Sequence, residues 1–110
     1  MDADECYREG IRLAECGDLG GAFVAFEKAV ELNPSHARAC KELAKLSLAA
    51  NERRAFTNWC HEAMRLDEGD PEPHAMMAEV LGAARRFEEA ADEQRIADAL
   101  SGATGPTRPA

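Results

Sequence analysis

The sequence predicts an all-α protein, an α-solenoid of three antiparallel helix hairpins, and three observations lead there. The chain repeats with a period of 34 residues and no insertion, in frames 3–36, 37–70 and 71–104. Small residues recur in fixed columns of that repeat. Turn-forming residues separate six stretches of helical length. A period of this size marks a stack of identical supersecondary units, each too small to bury its own apolar face.

The columns carry the physical argument. Gly10, Ala44 and Ala78 coincide, as do Ala29, Ala63 and Ala97, and Leu32, Leu66 and Leu100. Ala22 and Ala90 share a column with Phe56, Leu13 and Leu81 share one with Ser47, and Leu19 and Phe87 share one with Arg53. Two helices approach closely only where side chains are tiny, so Gly10, Ala22 and Ala29 mark a helix crossing. Leu13, Phe26 and Val30 fill the space beside it.

Helices are expected at 3–16, 19–32, 37–50, 53–66, 71–84 and 87–100. Gly17-Asp18 and Gly20-Gly21 break the chain between the first two. Asn33-Pro34-Ser35 closes the first frame, because proline cannot continue a helix. Asp70 followed by Pro71 reads as an N-cap with proline in the first turn. Ser101-Gly102 stops the last helix. Residues 105–110 read as a flexible tail, and residues 1–104 as one three-repeat domain.

These columns resemble the tetratricopeptide repeat (TPR) family, whose signature is a small residue in the first helix, a glycine turn, A-x-x-x-F-x-x-A and a late proline. The first frame carries Gly10, Gly17-Asp18-Leu19, Ala22, Phe26, Ala29 and Pro34. The third carries Ala78, Phe87, Ala90 and Ala97. The second departs most, with Phe56 and Cys60 in place of Ala and Phe, and Glu68 in place of proline. The resemblance covers residues 3 to about 100. It implies a right-handed superhelix whose first helices line a concave groove and whose usual work is to hold a peptide or partner domain.

On that resemblance, groove positions fall at Asp4, Tyr7, Ile11 and Ala14, at Arg38, Lys41, Lys45 and Leu48, and at Glu72, Ala75, Glu79 and Gly82. Arg38, Lys41 and Lys45 are spaced to share one helical face. Cations on one face of a chain of net charge -8 point to an acidic segment of a partner, with Tyr7 and Ile11 as the adjoining apolar contact. The competing reading is a solvated face. The family's chaperone-tail receptors use Lys and Asn in the first hairpin, Asn in the second, and Lys and Arg in the third. The matching positions here are Tyr7, Ile11, Glu42, Glu72 and Met76, so chaperone C-terminal tails are not an expected ligand. Trp59 reads as packing against a neighbouring hairpin or as a contact on the convex face.

Polar end faces keep a solenoid from stacking on itself. Glu9 stands where Leu43 and Met77 are apolar, and Gln94 and Asp98 stand where Phe26 and Val30 do. They read as caps at opposite ends. Phe87, Ile96 and Leu100 are expected to stay partly exposed, which leaves a homodimer through the last hairpin open.

Composition sets outer bounds. No apolar run reaches the ~18 residues of a membrane span. The acidic N-terminus lacks the apolar segment of a secretory signal, so a cytoplasmic protein is expected. The negative charge argues against nucleic acid and anionic lipid. Cys6, Cys16, Cys40 and Cys60 show no paired metal spacing and read as small buried side chains. Cys60 and His61 diverge by about 100° on a helix and form no nucleophile–base pair. No phosphate loop, nucleophile elbow or metal box is present, so no enzyme, cofactor or metal is expected. The function expected is an adaptor or scaffold holding another protein. A self-assembling structural unit is the alternative, and a thiol or metal sensor built on Cys40 with His36 is a third possibility.

Overall fold

The computed structural model describes residues 2–102. Six α-helices follow in order: α1 Ala3–Glu15, α2 Leu19–Leu32, α3 Ala37–Ala49, α4 Arg53–Leu66, α5 Glu72–Ala83 and α6 Phe87–Ser101. α1 packs on α2, α3 on α4 and α5 on α6, one hairpin per frame. The predicted tail, 105–110, and the last two residues of the third frame lie outside the described residues.

The turn inside each hairpin is one device used three times. Gly17, Asn51 and Arg85 stand in one column and all take left-handed backbone, with φ of 88°, 61° and 65°. The next residues, Asp18, Glu52 and Arg86, donate N–H to the carbonyls of Leu13, Ser47 and Leu81 at 2.9, 2.8 and 2.9 Å. The left-handed residues donate to Ala14, Leu48 and Gly82 at 3.0 Å each. This pair of bonds is a Schellman motif, which satisfies carbonyls that a helix end leaves open. Glycine takes the conformation without strain and asparagine tolerates it, whereas Arg85 holds it at a cost of roughly 1–2 kcal/mol.

The turns between hairpins also repeat. Asn33 Oδ1 accepts from Ser35 N at 3.1 Å, and Asp67 Oδ1 accepts from Gly69 N at 3.3 Å. These Asx turns form with Pro34 in one and Glu68 in the other, so the missing proline does not change the turn. The caps share a column as well. Asp2 accepts from Glu5 N at 2.8 Å while Glu5 accepts from Asp2 N at 3.0 Å, a capping box. His36 Nδ1 accepts from Ala39 N at 3.2 Å. Asp70 Oδ1 accepts from Glu72 N at 3.0 Å. The fifth helix begins one residue later than predicted, with Pro71 just before it.

Packing divides the chain into two compact units that meet in sequence at Leu66 and Asp67. In the first, α2 packs on α3, and Phe26, Phe56, Leu43, Cys40 and Cys60 are fully buried. One cluster joins Ala22, Phe26 and Leu43, with Tyr7, Ile11, Phe23 and Trp59 against it. A second joins Cys6, Ala29 and Ala39. Gly10 has a specific reason: a Cβ there would lie 2.6 Å from the Phe26 ring. Burying each large side chain contributes about 1.5–3 kcal/mol. The second unit, α5 and α6, buries Pro73, Met77, Ala78, Leu81 and Ala97.

Candidate functional site

The first helices of the hairpins bring the predicted groove residues to the surface in unequal ways. Tyr7 is half-buried on α1, its ring 5.7 Å from Phe26 and 5.0 Å from His36. It therefore joins α1 to both neighbouring helices while leaving part of its edge open. Ile11 is half-buried against the Ala22, Phe26 and Leu43 cluster. On α3, Arg38 and Lys45 are exposed, and Lys41 and Leu48 are half-buried. Lys45 Nζ lies 3.4 Å from Glu42 Oε2, one turn back on its own helix. Exposed pairs of this kind hold their partners only weakly.

Tyr7 and Arg38 meet at one recess of about 410 Å³, together with Asp4, Arg8, Asn33 and His36. His36 organises it. Its Nδ1 accepts from the backbone N–H of Ala39, so the neutral ring carries its proton on Nε2 and donates it to Asp4 Oδ1 at 3.1 Å. The imidazole thus caps α3 and ties it to α1. Arg8 and His36 were not among the predicted groove residues. The signal for His36 was available, since it shares a column with the caps Asp2 and Asp70.

Glu79 lies in the second unit and is exposed on α5. There it lines a cavity of about 560 Å³ with Ala75, Ala78, Ala90, Ala91 and Gln94. Also in this unit, His74 Nδ1 sits 2.7 Å from Glu93 Oε1, linking α5 to α6. Trp59, on α4, is half-buried and packs against the Ala22, Phe26 and Leu43 cluster.

A third recess, of about 390 Å³, lies between the start of α2 and the end of α3, lined by Leu19, Phe23, Leu46, Ser47 and Ala50. Ser47 occupies the column of Leu13 and Leu81, and its Oγ is buried with no hydrogen-bond partner.

All four cysteines are free thiols; Cys6, Cys40 and Cys60 are buried as expected, whereas Cys16, at the C-cap of α1, is exposed. Burial pushes the Cys40 thiol up to about 11, with Glu62 adding to the effect. A thiol held protonated is a poor nucleophile and a poor metal ligand. Both nitrogens of His36 are already engaged. A sensor pairing these two residues would have to break the α3 cap. Glu9 pairs with Arg12, which holds its carboxyl below the usual range. It is a charged, solvated group on the first helix.

The backbone matches several solved structures. A crystal structure of MamA superposes with a TM-score of 0.87 at 16% identity, over 93% of this chain and 60% of that one. The CopN-Scc3 complex gives 0.81 at 18% identity, over 97% of this chain and 61% of that one. The first TPR of Spaghetti (RPAP3), bound to the HSP90 peptide SRMEEVD, gives 0.83 at 15% identity, over 97% of this chain and 82% of that one. The chain thus spans about 60% of the MamA and CopN-Scc3 chains it matches. No family sequence model matches the chain, and no curated protein sequence does. The matched structures are TPR helical solenoids, and the fold of this chain is of that type.

Proposed function

We propose that this protein is a cytoplasmic adaptor, not an enzyme, whose three repeats act as one binding domain and hold an acidic segment of a partner protein. The observation that carries the reading is the cationic face of α3. Arg38, Lys41 and Lys45 stand on one side of the helix, next to the recess that Tyr7 and Arg38 share. Frame 37–70 has six cations and six anions, whereas frame 3–36 has three and seven. The positive charge is therefore local, and a local field steers an oppositely charged segment. Ile11 and Leu48 add apolar contact.

Two of the similar structures are themselves complexes, one with the HSP90 peptide SRMEEVD and one of CopN with Scc3. They support a protein ligand in general. The residues at the chaperone-tail positions, Tyr7, Ile11, Glu42, Glu72 and Met76, lack the cations and amides that clamp a terminal carboxylate, so such tails are not the ligand we propose.

The test begins with a partner identified by affinity capture from the native host. Lys41→Glu combined with Lys45→Glu is expected to weaken that partner's binding by at least about tenfold, with the helical circular dichroism unchanged. Unchanged affinity refutes the cationic surface. Self-assembly through the last hairpin is the rival reading, favoured by Phe87, Ile96 and Leu100, which are 64%, 43% and 36% exposed. Sedimentation across concentrations decides it, because a monomer at high concentration rules it out.

A further inference from the structure

The last hairpin carries the seat of a helix that the first hairpin already fills. On the first hairpin, Ala22 and Phe26 cluster with Leu43 of α3, and Tyr7, Ile11 and Phe23 pack against that cluster. Two repeats further on, Ala22 becomes Ala90, Phe26 becomes Gln94, Tyr7 becomes Ala75, Ile11 becomes Glu79 and Phe23 becomes Ala91. Gly10, which lies under the Phe26 ring, becomes Ala78. These six residues are the lining of the 560 Å³ cavity. Among the described residues, the surface that receives α3 on the first hairpin is open on the last one. Alanine replaces a ring at two positions, Tyr7 to Ala75 and Phe23 to Ala91, and the surface is rimmed by Glu79 and Gln94.

We infer that this cavity docks an amphipathic, basic helix from a partner protein, inserted as α3 is inserted on the first hairpin. This shallow recess has room for a large apolar side chain at the position of Leu43, because its lining of alanines does not fill the space that Tyr7 and Phe23 fill on the first hairpin. Charge selects the rest. Residues 71–102 carry seven anions and three cations, with Glu79 on the rim itself. A cationic helix face is complementary to that balance.

The same correspondence disfavours a second copy of this chain stacked head to tail. Its α1 would present Glu9 at the position of Leu43, and Glu9 would face Glu79 across a low-dielectric contact. α1 carries four anions against two cations, whereas α3 carries three cations against one anion. The groove surface and this seat would thus take ligands of opposite charge, and the two can be tested apart.

The experiment uses the full chain with two synthetic peptides, one of the α3 sequence from Ala37 to Ala49 and one of the α1 sequence from Ala3 to Glu15. NMR titration is expected to shift the amides around Ala78, Ala90, Ala91 and Gln94 with the α3 peptide and to leave them unmoved with the α1 peptide. Ala91→Lys and Glu79→Lys, both at exposed positions, are each expected to weaken the α3 peptide on the order of tenfold. Shifts confined to α1–α4, equal binding of the α1 peptide, or affinity unaltered by both substitutions would overturn the inference. So would a dimer of the chain alone whose interface maps to these residues.

Discussion

The two compact units follow one 34-residue plan and bury very different things. α1–α4 hold Phe26, Phe56 and Leu43 at 0% exposure, while in α5–α6 the largest buried side chains are Met77 at 8% and Leu81 at 7%. One column shows the origin of the difference: it reads Phe26, Cys60, Gln94 along the chain. The crossing residue opposite it reads Gly10, Ala44, Ala78. A full ring leaves room only for glycine, and a glutamine at the surface tolerates alanine. Repeats therefore need not be equally stable. In a solenoid, stability is a sum of repeat and interface contributions, and the repeat with the least buried area opens first.

Deleting the largest buried group tests this most severely. Phe26→Ala is expected to cost about 3–5 kcal/mol and to remove hydrogen-exchange protection throughout α1–α4. Leu81→Ala, at about 2–4 kcal/mol, is expected to remove protection only in α5–α6. If Leu81→Ala exposes α1–α4 equally, the two units are one and the comparison breaks. Gly10→Ala is the next step down, at about 1–3 kcal/mol, because the new methyl would meet the Phe26 ring at 2.6 Å. Combining it with Phe26→Leu is expected to cost less than the sum of the two single changes, measured by denaturant melting.

The smallest effects are gains. Ser47→Ala removes a buried hydroxyl that has no partner and is expected to stabilise the first unit by about 1 kcal/mol. Arg85→Gly relieves left-handed backbone and is expected to raise the stability of the last hairpin by up to about 1 kcal/mol. A loss in either case would show that the side chain makes a contact outweighing its cost.

The helices were legible because period and punctuation agreed at every level. Small residues marked crossings, Asn33-Pro34 and Ser101-Gly102 marked ends, and the expected ends differ from the observed ones by at most one residue. The three Schellman turns were not legible as a set, since Asn51 and Arg85 carry none of the glycine signal of Gly17 and adopt its conformation because the helices on either side require it. The polar recess escaped for a related reason. It depends on His36 using both ring nitrogens at once, and spacing alone does not reveal a tautomer. The cavity on the last hairpin was half visible: Gln94 stood out as a departure from the repeat, but a hollow is a property of four alanines and a rim seen together.

The repeated turns carry an evolutionary consequence. Because each one closes its backbone bonds among residues of its own frame, from Leu13 to Asp18, Ser47 to Glu52 and Leu81 to Arg86, a whole frame can be duplicated or excised without stranding a peptide group. A gene encoding such a chain lengthens by copying a cassette, and every added cassette arrives with its bend already set.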